Sequence, residues 1–189
     1  MTNKSPSVGV EKLAKSLTQQ GLPPIHKWDP PFCGDIDIRI TRDGNWFYQG
    51  SRITRIKLAR LFSTVLRREK DQHYYLVTPV EKLRIIVDDV PFVAIDVEVS
   101  GHDETQQLTF LTNLDDKVTV DKGHPLWVDI DRDTGEPSPY VRVRDNLDAL
   151  ISKSVYYRLV DLGRELTIDE VPHLGLTSCG QFFSLGFLE

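Results

Sequence analysis

The stretch Asp43-Gly44-Asn45-Trp46-Phe47-Tyr48-Gln49-Gly50, followed by a basic run that ends at Arg68, decides the fold of this chain. Asp-Gly between residues of high strand propensity predicts a hairpin, because a type I′ turn needs positive φ angles. In the run that follows, apolar residues recur at the spacing of one helix face. They are Leu58, Leu61, Phe62, Val65 and Leu66. The stretch therefore predicts a strand, a turn, a second strand and a helix.

The same order of elements recurs towards the C-terminus. Trp127, Val128 and Ile130 predict a strand, Arg132-Asp133-Thr134-Gly135 predicts a turn, and Tyr140 to Val143 predicts the returning strand. A helix is then expected to begin at Arg144. Its apolar face would hold Leu147, Leu150, Ile151 and Val155. We expect the units at roughly 36–68 and 126–158 to superimpose; the alternative is that any hairpin followed by an amphipathic helix would align as well.

The rest of the chain predicts mainly antiparallel sheet. A helix is expected from Val10 to Gln20, and a half-buried strand where Ile36, Ile38 and Ile40 alternate with polar residues. Short strands with turns between them then follow as far as Val120. The predicted fold is α+β, with two tightly packed halves built from the duplicated strand-turn-strand-helix unit. Residues 1–82 would form an N-terminal half of helix, hairpin and helix, and residues 83–189 a β-rich half with one amphipathic helix.

Composition limits the classes of protein that fit. Hydrophobic residues make up 40% of the chain and charged residues 27%, which is typical of globular proteins. No apolar run reaches the roughly 20 residues that span a bilayer, and the N-terminus lacks the apolar core of a signal peptide. We therefore expect a soluble, cytoplasmic protein with no membrane partner. The net charge of −5 argues against a nucleic-acid partner. Cys33 and Cys179 are expected to be free thiols.

Motifs for metal binding and catalysis are weak. The run Asp129-x-Asp131-x-Asp133 resembles the start of a calcium loop, but glycine stands at the seventh position instead of the sixth, so an acidic hairpin turn is favoured. The five histidines lack zinc-ligand spacing. Gly175-x-x-Ser178-x-Gly180 lacks the other residues of a phosphate loop and predicts a turn. We expect no metal and no cofactor, and no catalytic motif is recognised.

Two arginines are the most informative charges. Arg55 and Arg144 each precede the first leucine of a predicted helix by three residues. A cation at a helix N-terminus is unfavourable by roughly 0.3–1 kcal/mol, so each arginine should face a negative group. That group is either a neighbouring carboxylate or an anionic ligand bound jointly by the arginine and the helix N–H groups.

Several motifs resemble an uncharacterised bacterial family, domain-of-unknown-function family 1285, over most of the chain after about residue 20. The motifs are Trp28-x-Pro30 with Cys33-Gly34-Asp35-Ile36, Asp43-Gly44-x-Trp46-Phe47-Tyr48-x-Gly50, Arg55 with Leu61-Phe62, Leu66-Arg67-Arg68-Glu69, Thr78-Pro79-Val80-Glu81-Lys82, Pro91-Phe92, Tyr140-x-x-x-Arg144 and Ser178-x-Gly180-x-x-Phe183. The resemblance implies an α/β core made by duplication and a C-terminal half superficially like a pleckstrin-homology domain. It also implies a small nucleotide-like ligand between the halves and a role in signalling. It supplies no catalytic residue.

The sequence thus favours a cytoplasmic ligand-binding or regulatory protein that binds a nucleotide-like anion. We expect the site at the junction of the halves. Its predicted residues are Gly34 and Asp35, expected in a turn, the arginines Arg39, Arg55 and Arg144, and Ser178 and Gly180, expected in a loop. One alternative is an enzyme that uses Asp35, Asp37, Glu81 and Lys82, and another is a protein–protein interaction module whose partner the sequence does not specify.

Overall fold

The chain divides into two units between Asp89 and Val90. The computed structural model describes residues 22–188, so the helix predicted from Val10 to Gln20 lies outside the described residues. The sequence predicts the division after Lys82. However, Lys82–Val87 is a strand of the first unit, and it pairs there with a strand on each side. The boundary therefore follows this strand.

The first unit is a six-stranded sheet with one α-helix. Its strand order is β3-β2-β1-β6-β5-β4, and every pair is antiparallel except the central pair of β1 and β6. The elements are a 3-10 helix (Ile25–Lys27), β1 (Phe32–Ile40), β2 (Trp46–Tyr48), β3 (Ser51–Arg52), α1 (Ile56–Thr64), β4 (Leu66–Arg68), β5 (Tyr74–Val77) and β6 (Lys82–Val87).

The predicted hairpin of the first unit is confirmed, and its helix is confirmed as far as Thr64. The last residues of the predicted apolar face lie beyond the helix, because Val65 is the C-cap residue and Leu66 begins β4. The turn after β1 is closed by the main-chain bond from Thr41 to Asn45, and Gly44 is its residue of positive φ, at 75°. Asp43 keeps an ordinary φ, so the connection is a longer loop than the expected two-residue turn. Trp46 packs against Phe62 of α1, with ring centroids 6.3 Å apart. The helix therefore covers one face of the sheet.

The second unit contains a six-stranded sheet, an α-helix and a separate three-stranded sheet. The larger sheet has the order β10-β11-β12-β7-β8-β9, and the smaller one has the order β13-β14-β15. The elements are β7 (Phe92–Ser100), a 3-10 helix (Asp103–Thr105), β8 (Gln107–Thr112), β9 (Lys117–Thr119), β10 (Leu126–Ile130), β11 (Pro137–Arg144), β12 (Leu147–Ile151), α2 (Lys153–Leu162), β13 (Arg164–Ile168), β14 (Val171–Ser178) and β15 (Gln181–Phe187).

The helix predicted to begin at Arg144 is wrong in its first half. Leu147–Ile151 is a strand at the centre of the larger sheet, paired with β11 on one side and in parallel with β7 on the other. Four of its five residues are buried, Asp148 among them, and the apolar residues of so short a segment can match a helical spacing by chance. The helix begins only at Lys153, and of the predicted apolar face it holds Val155.

Both six-stranded sheets share one topology. Each consists of two three-stranded antiparallel meanders, joined by a parallel pair between the first and the last strand of that sheet, β1 with β6 and β7 with β12. The described chain is thus mostly sheet with two α-helices, and each unit has its own sheet and helix. By strand order, the equivalent of β10–β12 is β4–β6. The sequence instead matches it with β1–β3, because a helix follows the meander in both stretches. The duplication is present, but its correspondence is shifted by one meander.

Candidate functional site

The uncovered face of the first sheet presents charged side chains at alternate positions of β1. Asp35, Asp37 and Arg39 point away from the buried residues Ile36 and Ile38, as the alternation of a strand requires. Pairing with β6 adds a second row, because Arg84 lies beside Asp35 and Ile86 lies beside Arg39. The two rows form an open polar surface on the side of the sheet that α1 leaves uncovered.

A bidentate ion pair organises this surface. The guanidinium of Arg84 donates to both carboxylate oxygens of Asp35, at 2.7 and 2.8 Å. The hydrogen bond from Arg84 lowers the pKa of Asp35 below its usual value. Both side chains are largely exposed, so the pair adds little to stability. Its effect is to fix the direction of the guanidinium, which has further N–H donors for another group.

A pocket of about 650 Å³ opens beside this pair. Within residues 22–188, the carboxylate of Asp37 has no ion-pair or side-chain hydrogen-bond partner, and Ile86 is 58% exposed. The pocket thus combines an unpaired acceptor, an oriented guanidinium, an imidazole and an apolar surface. Its lining residues are Asp35, Ile36, Asp37, Gln72, His73, Tyr74, Arg84, Ile85, Ile86 and Val87.

A network of charged groups lies next to the pocket on β4, β5 and β6. Lys82 donates to both oxygens of Glu69, at 3.1 and 2.9 Å, and Arg67 also donates to Glu69. Burial raises the pKa of Glu69, but these hydrogen bonds outweigh it and the net shift is downward. Tyr75 donates to Asp71 at 2.6 Å, which raises the pKa of Tyr75 to about 12. The network thus engages Lys82, one of the residues named for the enzyme alternative, with Glu69.

The predicted site residues of the first unit lie at separate places in that unit. Gly34 lies inside β1 with a φ of 107°, where the register with β6 is irregular, and not in the expected turn. Arg39 makes a bidentate pair with Asp88 at 2.8 and 2.9 Å, on the same face as Asp35. Arg55 is the exposed N-cap residue of α1, the helix on the other face of the sheet. The structure thus brings Asp35 and Arg39 to one face, and Arg55 is not among the residues of that face.

Arg144 has a carboxylate partner within its own unit. It is the last residue of β11, and its guanidinium donates to Asp116 at 2.7 Å and lies 4.9 Å from the ring centroid of Phe92. The side chain is only 14% exposed. The sequence leaves open whether Arg144 faces a neighbouring carboxylate or an anionic ligand, and the structure shows a neighbouring carboxylate.

Ser178 has a packing role inside the second unit. Its buried Oγ donates to the carbonyl of Val120 at 2.7 Å and accepts from the N–H of Leu108 at 3.0 Å. Cys179 and Gly180 follow as a two-residue turn with φ of 50° and 73°, so the predicted turn is confirmed.

Gly180 also lines a smaller pocket of about 280 Å³, whose other residues are Asp103, Glu104, Gln106, Leu162, Arg164, Glu165, Leu166, Gly175, Leu176, Thr177 and Phe182. The crevice predicted to unite the seven site residues stays a prediction.

Sequence reasoning missed Arg84 and His73. Arg84 alternates with apolar neighbours in β6 and reads as an ordinary strand residue. Only the parallel pairing of β6 with β1 places it against Asp35. Sequence spacing carries no signal for that pairing, because parallel neighbours are joined by long connections.

The structure also describes the acidic run and the two cysteines. The acidic run is a hairpin turn in which Oδ1 of Asp131 accepts from the N–H groups of Asp133 and Thr134, at 3.0 and 2.8 Å. Cys33 and Cys179 are free and exposed. Neither helix of the described chain has the length and apolar character needed to cross a bilayer.

Fold and surface together define a class of two-unit proteins in which a six-stranded, mainly antiparallel sheet is repeated. Family models match residues 23–90, as "Domain of unknown function (DUF1285), N-terminal domain", and residues 91–185, as "Protein of unknown function (DUF1285), C-terminal domain". The chain belongs to this family. Their boundary coincides within a residue with the division of the structure.

Two solved structures are similar to this chain. A DUF1285 family protein from Silicibacter pomeroyi DSS-3 is 49% identical, with a TM-score of 0.87, covering 95% of this chain and 96% of that chain. A DUF1285 family protein from Shewanella baltica OS155 is 27% identical, with a TM-score of 0.51, covering 66% of this chain and 90% of that chain. No curated protein matches the sequence.

Proposed function

We propose that this chain is a cytoplasmic ligand-binding or regulatory protein that holds a nucleotide-like anion in the pocket of its first unit. The observation that carries the proposal is the convergence of Asp37, His73 and Arg84 around the exposed side chain of Ile86. A volume of about 650 Å³ lies within the roughly 300–1,000 Å³ typical of small-molecule sites. A role in signalling and a pleckstrin-homology-like second unit are parts of the same proposal, and they rest on the family resemblance alone.

Each part of a nucleotide has a chemical counterpart in this pocket. The unpaired carboxylate of Asp37 can accept from two ribose hydroxyls. The guanidinium of Arg84, already oriented by Asp35, can donate its remaining N–H groups to a phosphate, and a ring N–H of His73 can add a second donor. Ile86 offers an apolar surface to a base. The proposal therefore requires the sugar and the phosphate to be recognised together.

The test is a set of calorimetric titrations with adenosine and guanosine monophosphates, adenosine and inorganic phosphate. We expect the whole nucleotides to bind, and each fragment to bind at least tenfold more weakly, because it loses at least about 1.4 kcal/mol of contacts. Asp37→Asn should weaken nucleotide binding about tenfold by removing a charged acceptor. Arg84→Lys should do the same, because lysine cannot reproduce the guanidinium fork.

The matched control is Glu98→Gln, which neutralises an exposed carboxylate of β7 in the second unit. It should leave the affinity unchanged. Absence of binding by both nucleotides, or binding that neither Asp37→Asn nor Arg84→Lys weakens, would rule out this pocket as the site.

A further inference from the structure

β13 is an exposed edge strand. It ends the three-stranded sheet of the second unit, and all five of its residues are exposed. Such an edge carries unpaired N–H and C=O groups and is a template for another strand, unless bulges, prolines, charged side chains or coverage protect it. β13 carries two charged residues of opposite sign, Arg164 and Glu165, which restrict the registers in which another strand can pair. The pairing of β13 with β14 is regular from Arg164 to Ile168, without a bulge.

The turn that follows β13 fixes which main-chain groups face outward. Asp169 and Glu170 have φ of 49° and 67°, the signature of a two-residue type I′ turn. In such a hairpin the flanking residues, Ile168 and Val171, form a hydrogen-bonded pair, and the next pair along is not hydrogen-bonded.

That next pair is Thr167 with Pro172, which has no N–H to donate. The carbonyl of Pro172 accepts from Leu188 at 2.9 Å, on the side away from β13. The N–H and C=O of Thr167 therefore point outward, and by alternation so do those of Glu165. Within the described part of the chain, these groups have no main-chain partner.

One face of this sheet carries an apolar row that runs up to the free edge. Leu166 pairs with His173, and His173 pairs with Phe187, so the three side chains share a face. The rings of His173 and Phe187 lie 4.6 Å apart. Leu166 is 45% exposed and Phe187 is 73% exposed. The row therefore reaches the edge at a leucine that no neighbouring strand covers.

We propose that β13 pairs with β13 of a second copy of this chain, antiparallel about a two-fold axis at Leu166. The outward main-chain groups belong to Glu165 and Thr167, and both residues are used only when the two-fold axis lies at residue 165, 166 or 167. With the axis at residue 165, Glu165 lies opposite Glu165 of the other copy. With the axis at residue 167, Glu165 lies opposite Asp169. Like charges directly opposite each other are unfavourable. The register centred on Leu166 avoids both contacts.

In this register, Glu165 of each copy lies opposite Thr167 of the other, and each of these pairs exchanges two main-chain hydrogen bonds. Leu166 lies opposite its counterpart in the closer, non-hydrogen-bonded position. The apolar rows of the two copies then join into one that runs across a six-stranded sheet. This surface is separate from the nucleotide pocket, so the inference does not depend on the proposed ligand.

Sedimentation equilibrium tests the dimer with the full chain. We expect the wild type to approach twice 21.6 kDa as its concentration rises. Thr167→Pro removes an outward N–H without touching the β13–β14 ladder, and Leu166→Lys places a charge at the two-fold axis, so both should sediment as monomers. The matched controls keep the dimer: Thr167→Ala retains the N–H, and Val80→Lys changes a residue that is 75% exposed elsewhere.

Cysteine cross-linking tests the register in a background of Cys33→Ser and Cys179→Ser. Residues opposite each other in a non-hydrogen-bonded pair have Cα atoms about 4.5 Å apart, within disulfide range. Leu166→Cys should therefore form a covalent dimer on mild oxidation. Thr167→Cys should not, since its counterpart lies about 7–8 Å away diagonally. A monomeric wild type, a dimer that survives both Thr167→Pro and Leu166→Lys, or preferential cross-linking through Thr167→Cys would overturn the proposal.

Discussion

Arg55 and Arg144 occupy matching places in the sequence but have different surroundings. Arg144 is largely buried and is paired with Asp116. Arg55 is exposed at the start of α1 and, within residues 22–188, has no ion-pair partner. The sequence pattern treats them alike because both precede an apolar run. The difference arises from tertiary pairing, which only the folded chain supplies.

This contrast predicts different costs for the same substitution. Arg144→Met should lower the free energy of unfolding by about 2–3 kcal/mol, because it leaves the part-buried carboxylate of Asp116 without its charged donor. Arg55→Met should change it by less than about 0.5 kcal/mol, since an exposed cation at a helix N-terminus contributes nothing favourable. Urea unfolding of both variants measures the difference. Equal losses would show that Arg55 has a structural partner comparable to Asp116.

At the same scale, the sequence accounts only for the part of the candidate pocket that β1 supplies. Alternation in β1 predicts that Asp35, Asp37 and Arg39 share an outward face, and the structure confirms it. Arg84 and His73 belong to segments that only sheet pairing brings beside β1. A local pattern can therefore give the face on which a residue lies, but not its neighbour on the next strand.

Among the elements, the β14–β15 hairpin shows that two glycines of one motif serve different needs. Gly175 lies where the strands approach closely, and a Cβ there would come within 2.3 Å of the carbonyl oxygen of Phe183. Gly180 has open space around it but a φ of 73°. The first glycine is required by contact, and the second by backbone conformation.

Alanine at each position should separate these needs. Gly175→Ala should destabilise the protein by about 3 kcal/mol, because a backbone oxygen cannot move aside as a flexible side chain would. Gly180→Ala should cost only about 1 kcal/mol, the usual penalty of a left-handed conformation. Chemical denaturation compares them, with Gly123→Ala as a control in a turn where a Cβ would meet only one side-chain atom, at 3.4 Å. A greater loss for Gly180→Ala than for Gly175→Ala would contradict the steric account.

The wrong prediction of a helix at β12 also has its reason at the scale of a single element. Leu147, Leu150 and Ile151 fit a helix face, while Leu147, Ala149 and Ile151 fit a strand. So short a segment fits both the helical and the strand period. It forms a strand because both sides of the larger sheet bury its residues at this position. The helix of the first unit was predictable because Leu58, Leu61 and Phe62 keep the helical period, although the helix ends at Thr64 and not at Leu66.

Across the whole molecule, the sequence indicates a repeat but not which strands correspond. Both units contain a meander followed by a helix, which a linear comparison aligns readily. Strand order depends on the parallel pairs β1–β6 and β7–β12, whose members lie far apart in the chain. Long connections of this kind leave no local signature, so the shared topology emerges only from the sheets.

The position of β6 gives the last prediction. β6 lies between β1 and β5, so a fragment that ends at residue 82 loses the strand that joins the two meanders of the first sheet. It also loses Ile85, which is 4% exposed.

A fragment of residues 1–89 keeps the complete sheet and should unfold cooperatively on heating, with a near-ultraviolet circular dichroism spectrum typical of packed aromatic rings. The fragment of residues 1–82 should show neither property, because an unpaired three-stranded meander and a separate hairpin cannot close one core. Cooperative unfolding of both fragments would return the boundary to residue 82, and failure of both would show that the first unit does not fold alone.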